Sequence, residues 1–199
     1  AFYQSAQGDV KVGYTAEHSA VGAEMPIRSF WYAEVKGKQM AGAVVEALPG
    51  IATSGNPGIR VTSGFCDLPL RDSYPMTVKE AEAWSKTANE ALKKAEAKAA
   101  GLGKRVLDKY KVDAFLSGLA VDCSRWVKTH PNPAPVRAKQ FAARIGDAVL
   151  VTFPCEVFAE IGLKVKQGSP FEKTFVIGVA GGMGGYIPTA AEYLEGGYA

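Results

Sequence analysis

Apolar and polar positions alternate in blocks along the chain, and two blocks stand out. Residues 148–153 and 174–180 are short runs dense in Val, Ile, Leu and Phe, with the length and β-branched content of buried strands. The first ends at Pro154, which cannot donate to a central ladder and so marks an exit. Glu156 follows and opens an amphipathic segment, residues 157–166, that reads as a helix. The second run ends in Gly181, Gly182, Gly184 and Gly185, a loop able to take positive φ and bring backbone close to a ligand. Tyr186, Pro188 and Thr189 come next. This order of strand, carboxylate, helix, strand, glycine loop and phenol sets Glu156 and Tyr186 where the chain leaves parallel strands. Open α/β sheets bind ligands at such exits. The residues alone leave two readings of each group open: a helix-dipole partner or a ligand for Glu156, a packed ring or a site phenol for Tyr186.

The rest of the pattern surrounds these runs with helices. Residues 1–12 begin as a short apolar strand that turns at Gly8 and Asp9, with Asp9 closing its own backbone. Residues 13–26, including His18, read as a loop. Residues 27–48 carry apolar side chains at helical spacing, loosened by Gly37 and Gly42 and stopped by Pro49 and Gly50. Residues 59–70 alternate as a strand, ending in Leu68-Pro69-Leu70-Arg71. Arg71 there is either the partner of a carboxylate or an edge residue. Thr77 and Glu80 form a capping-box pattern at the head of a long helix over 77–109, packing a narrow face through Ala81, Trp84, Ala88, Leu92 and Ala95. Gly101 and Gly103 break it, and residues 112–126 continue as helix. Residues 129–135 form a Pro-rich connection with His130 exposed, and 136–144 lead into the first apolar run. The expected fold is α/β, a mixed β-sheet flanked by helices, with residues 1–199 forming a single domain or a half-domain.

Composition narrows the function classes. Of the residues, 47% are hydrophobic and 22% charged, which suits one globular unit. A net charge of +3 without a long basic run does not point to nucleic acid. No apolar stretch has the length of a membrane span, and the start does not read as a signal peptide. Cys66, Cys123 and Cys155 form no CxxC pair and suggest no disulfide framework. The start at Ala1, without methionine, reads as a processed product or a piece of something longer.

Five blocks, in order, carry a resemblance. They are Ile145-Gly146-Asp147, Pro154-Cys155-Glu156-Val157-Phe158, Ser169-Pro170-Phe171, Gly185-Tyr186-Ile187-Pro188-Thr189 and Gly196-Gly197-Tyr198. Together they resemble the end of the catalytic domain of the neutral, non-lysosomal ceramidase family. The family also shows the Leu68–Arg71 sequence and a strand running into a Gly-Asp turn like that at Gly8-Asp9. The resemblance implies the C-terminal half of a larger ceramidase-like catalytic domain. It also implies zinc-dependent hydrolysis of an N-acyl amide bond, as in cleavage of ceramide to fatty acid and sphingosine, or of a related lipid-like amide.

By motif, Glu156 and Tyr186 correspond to two Zn2+ ligands. Tyr198 corresponds to a tyrosine near the scissile carbonyl. Lys11 stands where family members have an active-site serine, as a cation for an oxyanion or acidic substrate, or as a solvated loop residue. Val12 stands in place of the expected proline. Cys155 replaces the usual glycine, as a nucleophile, an adventitious ligand or a small buried apolar residue. Gly181-Gly182-Met183 replace an asparagine-containing stretch. The family's other two zinc ligands are histidines from an upstream region, and neither His18 nor His130 lies in a matching motif. The resemblance therefore implies that the upstream half of the same domain completes the site and covers a sheet edge. A secreted, periplasmic or membrane-peripheral setting goes with it. The alternative is a non-catalytic relative that keeps the scaffold as a binding or assembly module.

Overall fold

The computed structural model describes residues 3–11, 15–23, 29–53, 55–98, 104–182 and 184–195. Its strands are β1 (Ile59–Leu68), β2 (Val136–Ile145), β3 (Ala148–Thr152), β4 (Glu156–Val157), β5 (Lys173–Ile177) and β6 (Tyr186–Ile187). Its helices are α1 (Ala16–Ala20), α2 (Phe30–Ala47), α3 (Val78–Ala97), α4 (Lys104–Thr129), α5 (Ala159–Gly168) and α6 (Ala190–Glu195). The fold is α/β, with a mixed sheet in the order β1-β2-β3-β5 and a small second sheet, β4-β6. β1 and β2 pair antiparallel along their full lengths, from Ile59 with Ile145 to Leu68 with Val136. β2 and β3 form a tight antiparallel hairpin whose turn begins at Gly146, held at φ +61. β3 and β5 run parallel, so the chain between them must cross over. It does so through β4 and α5.

Burial explains why the crossover sits where it does. Cys155, Val157 and Val176 form the buried centre, with Ala6, Phe153, Ile161, Val165 and Ile187 packed around it. α3 and α4 make a separate helical hairpin. Thr77 starts α3 with a complete capping box: its side chain accepts from the Glu80 amide, and Glu80 Oε2 accepts from the Thr77 amide at 2.8 Å. Ala81, Ala88 and Ala95, seven residues apart, are buried on the α3 face that meets α4. An ion pair from Arg125 to Glu82, at 2.7 Å, ties the two helices at the surface.

Several expectations need correction. Residues 13–26 contain a helix, α1, because Thr15 caps it by accepting from the His18 amide. The expected strand at the start of residues 1–12 falls partly on Ala1 and Phe2, outside the described residues; residues 3–11 form no regular strand and run as a strap with a turn at Gly8 and Asp9. Residues 136–145, expected only as a lead-in, are a ten-residue strand in the middle of the sheet. α2 buries none of its residues, so its apolar spacing does not serve packing among the described elements. Glu156 does not start the helix: it belongs to β4, and α5 begins three residues later. No helix among the described residues is long and apolar enough to cross a membrane.

Candidate functional site

The ends of β3 and β5 are stitched to the small sheet by backbone hydrogen bonds. Phe153 donates to the Ile177 carbonyl at 2.8 Å, and Ala180 donates back to Phe153 at 2.9 Å. Val179 donates to Cys155 O at 3.1 Å, Gly184 to Pro154 O at 2.6 Å and Glu156 to Gly185 O at 2.8 Å. This stitching brings β4 and β6 side by side in parallel, with Glu156 paired to Tyr186 and Val157 to Ile187. Directly paired residues of a ladder project from the same face. Val157 and Ile187 join the core, so the half-buried Glu156 and Tyr186 share the opposite side.

The strap formed by residues 4–9 locks this arrangement from behind. Gly178 donates to Gln4 O and Gly8 to Val157 O, both at 2.9 Å. Glycine is required at position 8, because a Cβ there would lie 2.6 Å from the Glu156 carbonyl oxygen. Asp9, expected to close its own turn, instead accepts from the Ala159 amide at 2.7 Å. Phe158, the N-cap of α5, has no side-chain oxygen to offer that helix, so the carboxylate is supplied by the strap. Lys11 follows the same turn and is exposed.

Tyr186 lines a cleft of about 450 Å³, together with Leu68, Leu70, Arg71, Ile187 and Tyr193. Glu156, on the adjacent strand, does not line it. Arg71 stands with its guanidinium 4.6 Å from the Tyr193 ring centre and 5.4 Å from that of Tyr74, distances at which cation–π attraction operates. The Tyr193 hydroxyl donates to the Ser73 carbonyl at 3.2 Å. α6, which carries Tyr193, is started by a second capping box: Thr189 accepts from the Glu192 amide, and Glu192 Oε2 accepts from the Thr189 amide at 3.1 Å. Arg71, expected either beside a carboxylate or at a strand edge, lies against two tyrosine rings, and neither Tyr74 nor Tyr193 was expected there. The Thr-x-x-Glu spacing at 189–192 is the pattern that could have flagged the helix delivering Tyr193.

The other candidates lie apart from this geometry. Cys155 is fully buried, and burial foremost, with Cys66 adding, pushes its thiol up to about 11. It is a neutral, enclosed thiol at pH 7, which favours the buried apolar reading over the nucleophile. His18 Nδ1 is engaged 2.6 Å from the Thr15 hydroxyl. His130 is exposed in the loop just after α4, as expected. There its ring stacks on Trp126 at 4.6 Å between centroids, and its Nδ1 is 2.9 Å from the Trp126 carbonyl. Among the described residues, no three His, Cys, Asp or Glu side chains gather into a metal cluster. Tyr198 and Met183 lie outside the described residues. Comparison with protein-family models, curated proteins and solved structures finds no match to this chain.

Proposed function

We propose that the chain is part of a zinc-dependent, ceramidase-like hydrolase of an N-acyl amide bond, and that it carries half of the metal site. The observation that carries this reading is the direct pairing of Glu156 with Tyr186 on neighbouring parallel strands. A carboxylate and a phenol on one face, beside an apolar cleft, fit half of a four-ligand zinc set in donor chemistry. Neither His18 nor His130 gathers with Glu156 into a metal-ligating group among the described residues, so on this reading the two imidazoles come from outside them. Zinc bound there would lower the pKa of a water and polarise the amide carbonyl.

The chain's own residues have distinct tasks in this scheme. Glu156 and Tyr186 hold the metal, Tyr186 also forming a wall of the cleft. Tyr198 donates a hydrogen bond to the carbonyl oxygen as it gains charge. Lys11 supplies a positive charge in the place of the family's serine. The apolar walls at Leu68, Leu70 and Ile187 accept the acyl chain and keep water from it.

Metal analysis of the complete product of the reading frame tests the proposal. About one zinc per chain is expected, and Glu156→Gln should lower that content together with amidase activity on N-acyl substrates. Unchanged zinc and activity would remove Glu156 from the site. The exposed Lys11 at the serine position favours a second reading, a non-catalytic binding or assembly module. On that reading the complete product binds no zinc and hydrolyses no amide, and Tyr198→Phe has no effect on a retained partner.

A further inference from the structure

The basic residues of β2 meet different partners along the β1–β2 ladder. Arg137 stands opposite Asp67, an opposite charge. Lys139 stands opposite Phe65, its ammonium 6.0 Å from the ring centre. Arg144 stands opposite Arg60. Directly opposed residues of an antiparallel pair hold their β-carbons about 4.5–5.5 Å apart, and like charges so placed repel. Among the described residues neither guanidinium forms an ion pair with a carboxylate. Asp147, the acid at this end of the sheet, is taken by Lys173 at 2.6 Å, and Arg144 is the smallest of the influences on it. The ladder thus neutralises one cation, sets a second over a ring, and leaves two positive charges side by side.

Both arginines line a pocket of about 200 Å³, together with Pro57, Gly58, Ile59 and Gly146. At ~30 Å³ per water this is room for roughly six waters, enough for one tetrahedral oxyanion and part of its hydration. Gly146 donates to Gly58 O at 3.1 Å and closes the turn without adding a side chain. Arg144 is already oriented: its Nε donates to Gly146 O at 2.8 Å, and its guanidinium lies 5.3 Å from the Phe171 ring centre. A guanidinium anchored at Nε presents its remaining N–H groups as a fixed fork. Arg60, opposite it, is exposed. The pocket holds Ile59, at one end of the ten-residue β1, whereas the cleft at Tyr186 holds Leu68, at the other. At ~3.4 Å per residue the two lie roughly 30 Å apart.

We propose that Arg60 and Arg144 bind a phosphate group, carried by a soluble phosphate compound or by a lipid headgroup, with one guanidinium on either side of the dianion. Two adjacent positive charges call for two negative ones, and planar forks match phosphate oxygens bidentately. A carboxylate, with a single charge, leaves the pair half neutralised. Nothing in this second site depends on zinc or on the hydrolase reading.

Thermal unfolding of the complete product of the reading frame is the test. Inorganic phosphate is titrated against acetate and chloride at matched ionic strength, since screening alone also relieves the repulsion. Phosphate should raise Tm above both controls, because a ligand of the folded form stabilises it by mass action. With Arg60→Gln, the phosphate concentration needed for a given rise should increase at least about tenfold, the usual worth of a charge-assisted contact. In phosphate-free buffer at low salt the same variant should melt above the wild type, since the repulsion is gone. Arg60 is a cleaner probe than Arg144, whose loss also removes the bond to Gly146 O. Flotation with phosphatidylcholine vesicles, with and without phosphatidic acid, distinguishes the sources. A response to free phosphate assigns the site to a soluble compound. Binding only to phosphatidic acid vesicles, lost with Arg60→Gln, assigns it to a lipid headgroup. Equal shifts in phosphate, acetate and chloride, or a phosphate shift that Arg60→Gln leaves intact, overturn the proposal when vesicle binding is likewise independent of Arg60.

Discussion

The Asp9 carboxylate receives the amide of Ala159 at 2.7 Å, across 150 residues of chain. α5 is thereby capped in trans, with its own N-cap residue, Phe158, contributing no oxygen. The same helix start follows directly on β4, so the cap also fixes the segment that carries Glu156. Asp9→Ala should cost about 1 kcal/mol, the usual effect of losing a helix cap. Asp9→Asn, which keeps an acceptor oxygen, should recover most of it. A urea titration checks this as a shift in midpoint with unchanged slope.

Gly8 makes a sharper prediction, because its neighbours are fixed. A Cβ at this position would lie 2.6 Å from Glu156 O and 2.7 Å from Phe158 Cδ1. The carbonyl belongs to β4 and cannot retreat without loosening the β4–β6 pairing. Gly8→Ala should therefore destabilise by about 1–3 kcal/mol, as overpacking does. Faster hydrogen exchange at the Glu156 and Phe158 amides, which donate to Gly185 and Ile187, would show that the damage reaches the paired strands. Normal exchange there, with lost stability, would confine it to the strap.

Val179 is held at φ +53, a conformation that a β-branched residue adopts only under strain. It persists because its amide donates to Cys155 O and the next residue's to Phe153 O. The strain is worth on the order of 1–2 kcal/mol. Val179→Gly should relieve it, offsetting the added freedom of the unfolded chain, for a net change near zero or slightly stabilising. At the buried Val176, only three residues earlier, the same substitution should cost at least about 2 kcal/mol. Comparing the two by chemical denaturation isolates the backbone effect. A large loss at both positions would mean that Val179 is not strained.

How much of this was legible in the sequence depended on length and on side-chain size. β3 and β5 are runs of large apolar residues buried on one face, and their parallel arrangement follows from the helix between them. α3 announced itself through Thr77 and Glu80. β2 did not, because Val136-Arg137-Ala138-Lys139-Gln140 sets basic residues between Val136, Ala138 and Gln140, of which only Ala138 is buried. β4 and β6 are two residues each, too short to show any period, and only the crossover geometry brings Glu156 beside Tyr186. The Asp9 cap was misread because a turn residue usually bonds locally, and nothing in Gly-Asp reveals a partner 150 residues away.

Cys155 supplies the pH dependence. Its thiol is pushed from an ordinary 9.0 to about 11, burial being the main cause. Between those values the unfolded chain releases the proton and the folded chain keeps it, so the unfolded state binds fewer protons and stability falls as pH rises. The contribution is complete below pH 9 and lost as the pH passes through about 11. Other groups titrate in the same range, so the informative quantity is the difference between wild type and Cys155→Ala. Stability profiles from pH 8 to 11 should converge as the pH rises, with the wild type falling more steeply. In line with its enclosure, Cys155 should also be alkylated far more slowly at pH 8 than the half-buried Cys66 and Cys123. Rapid alkylation of Cys155 in the folded protein, with parallel stability profiles, would show instead a thiol open to solvent and restore it as a nucleophile beside Glu156.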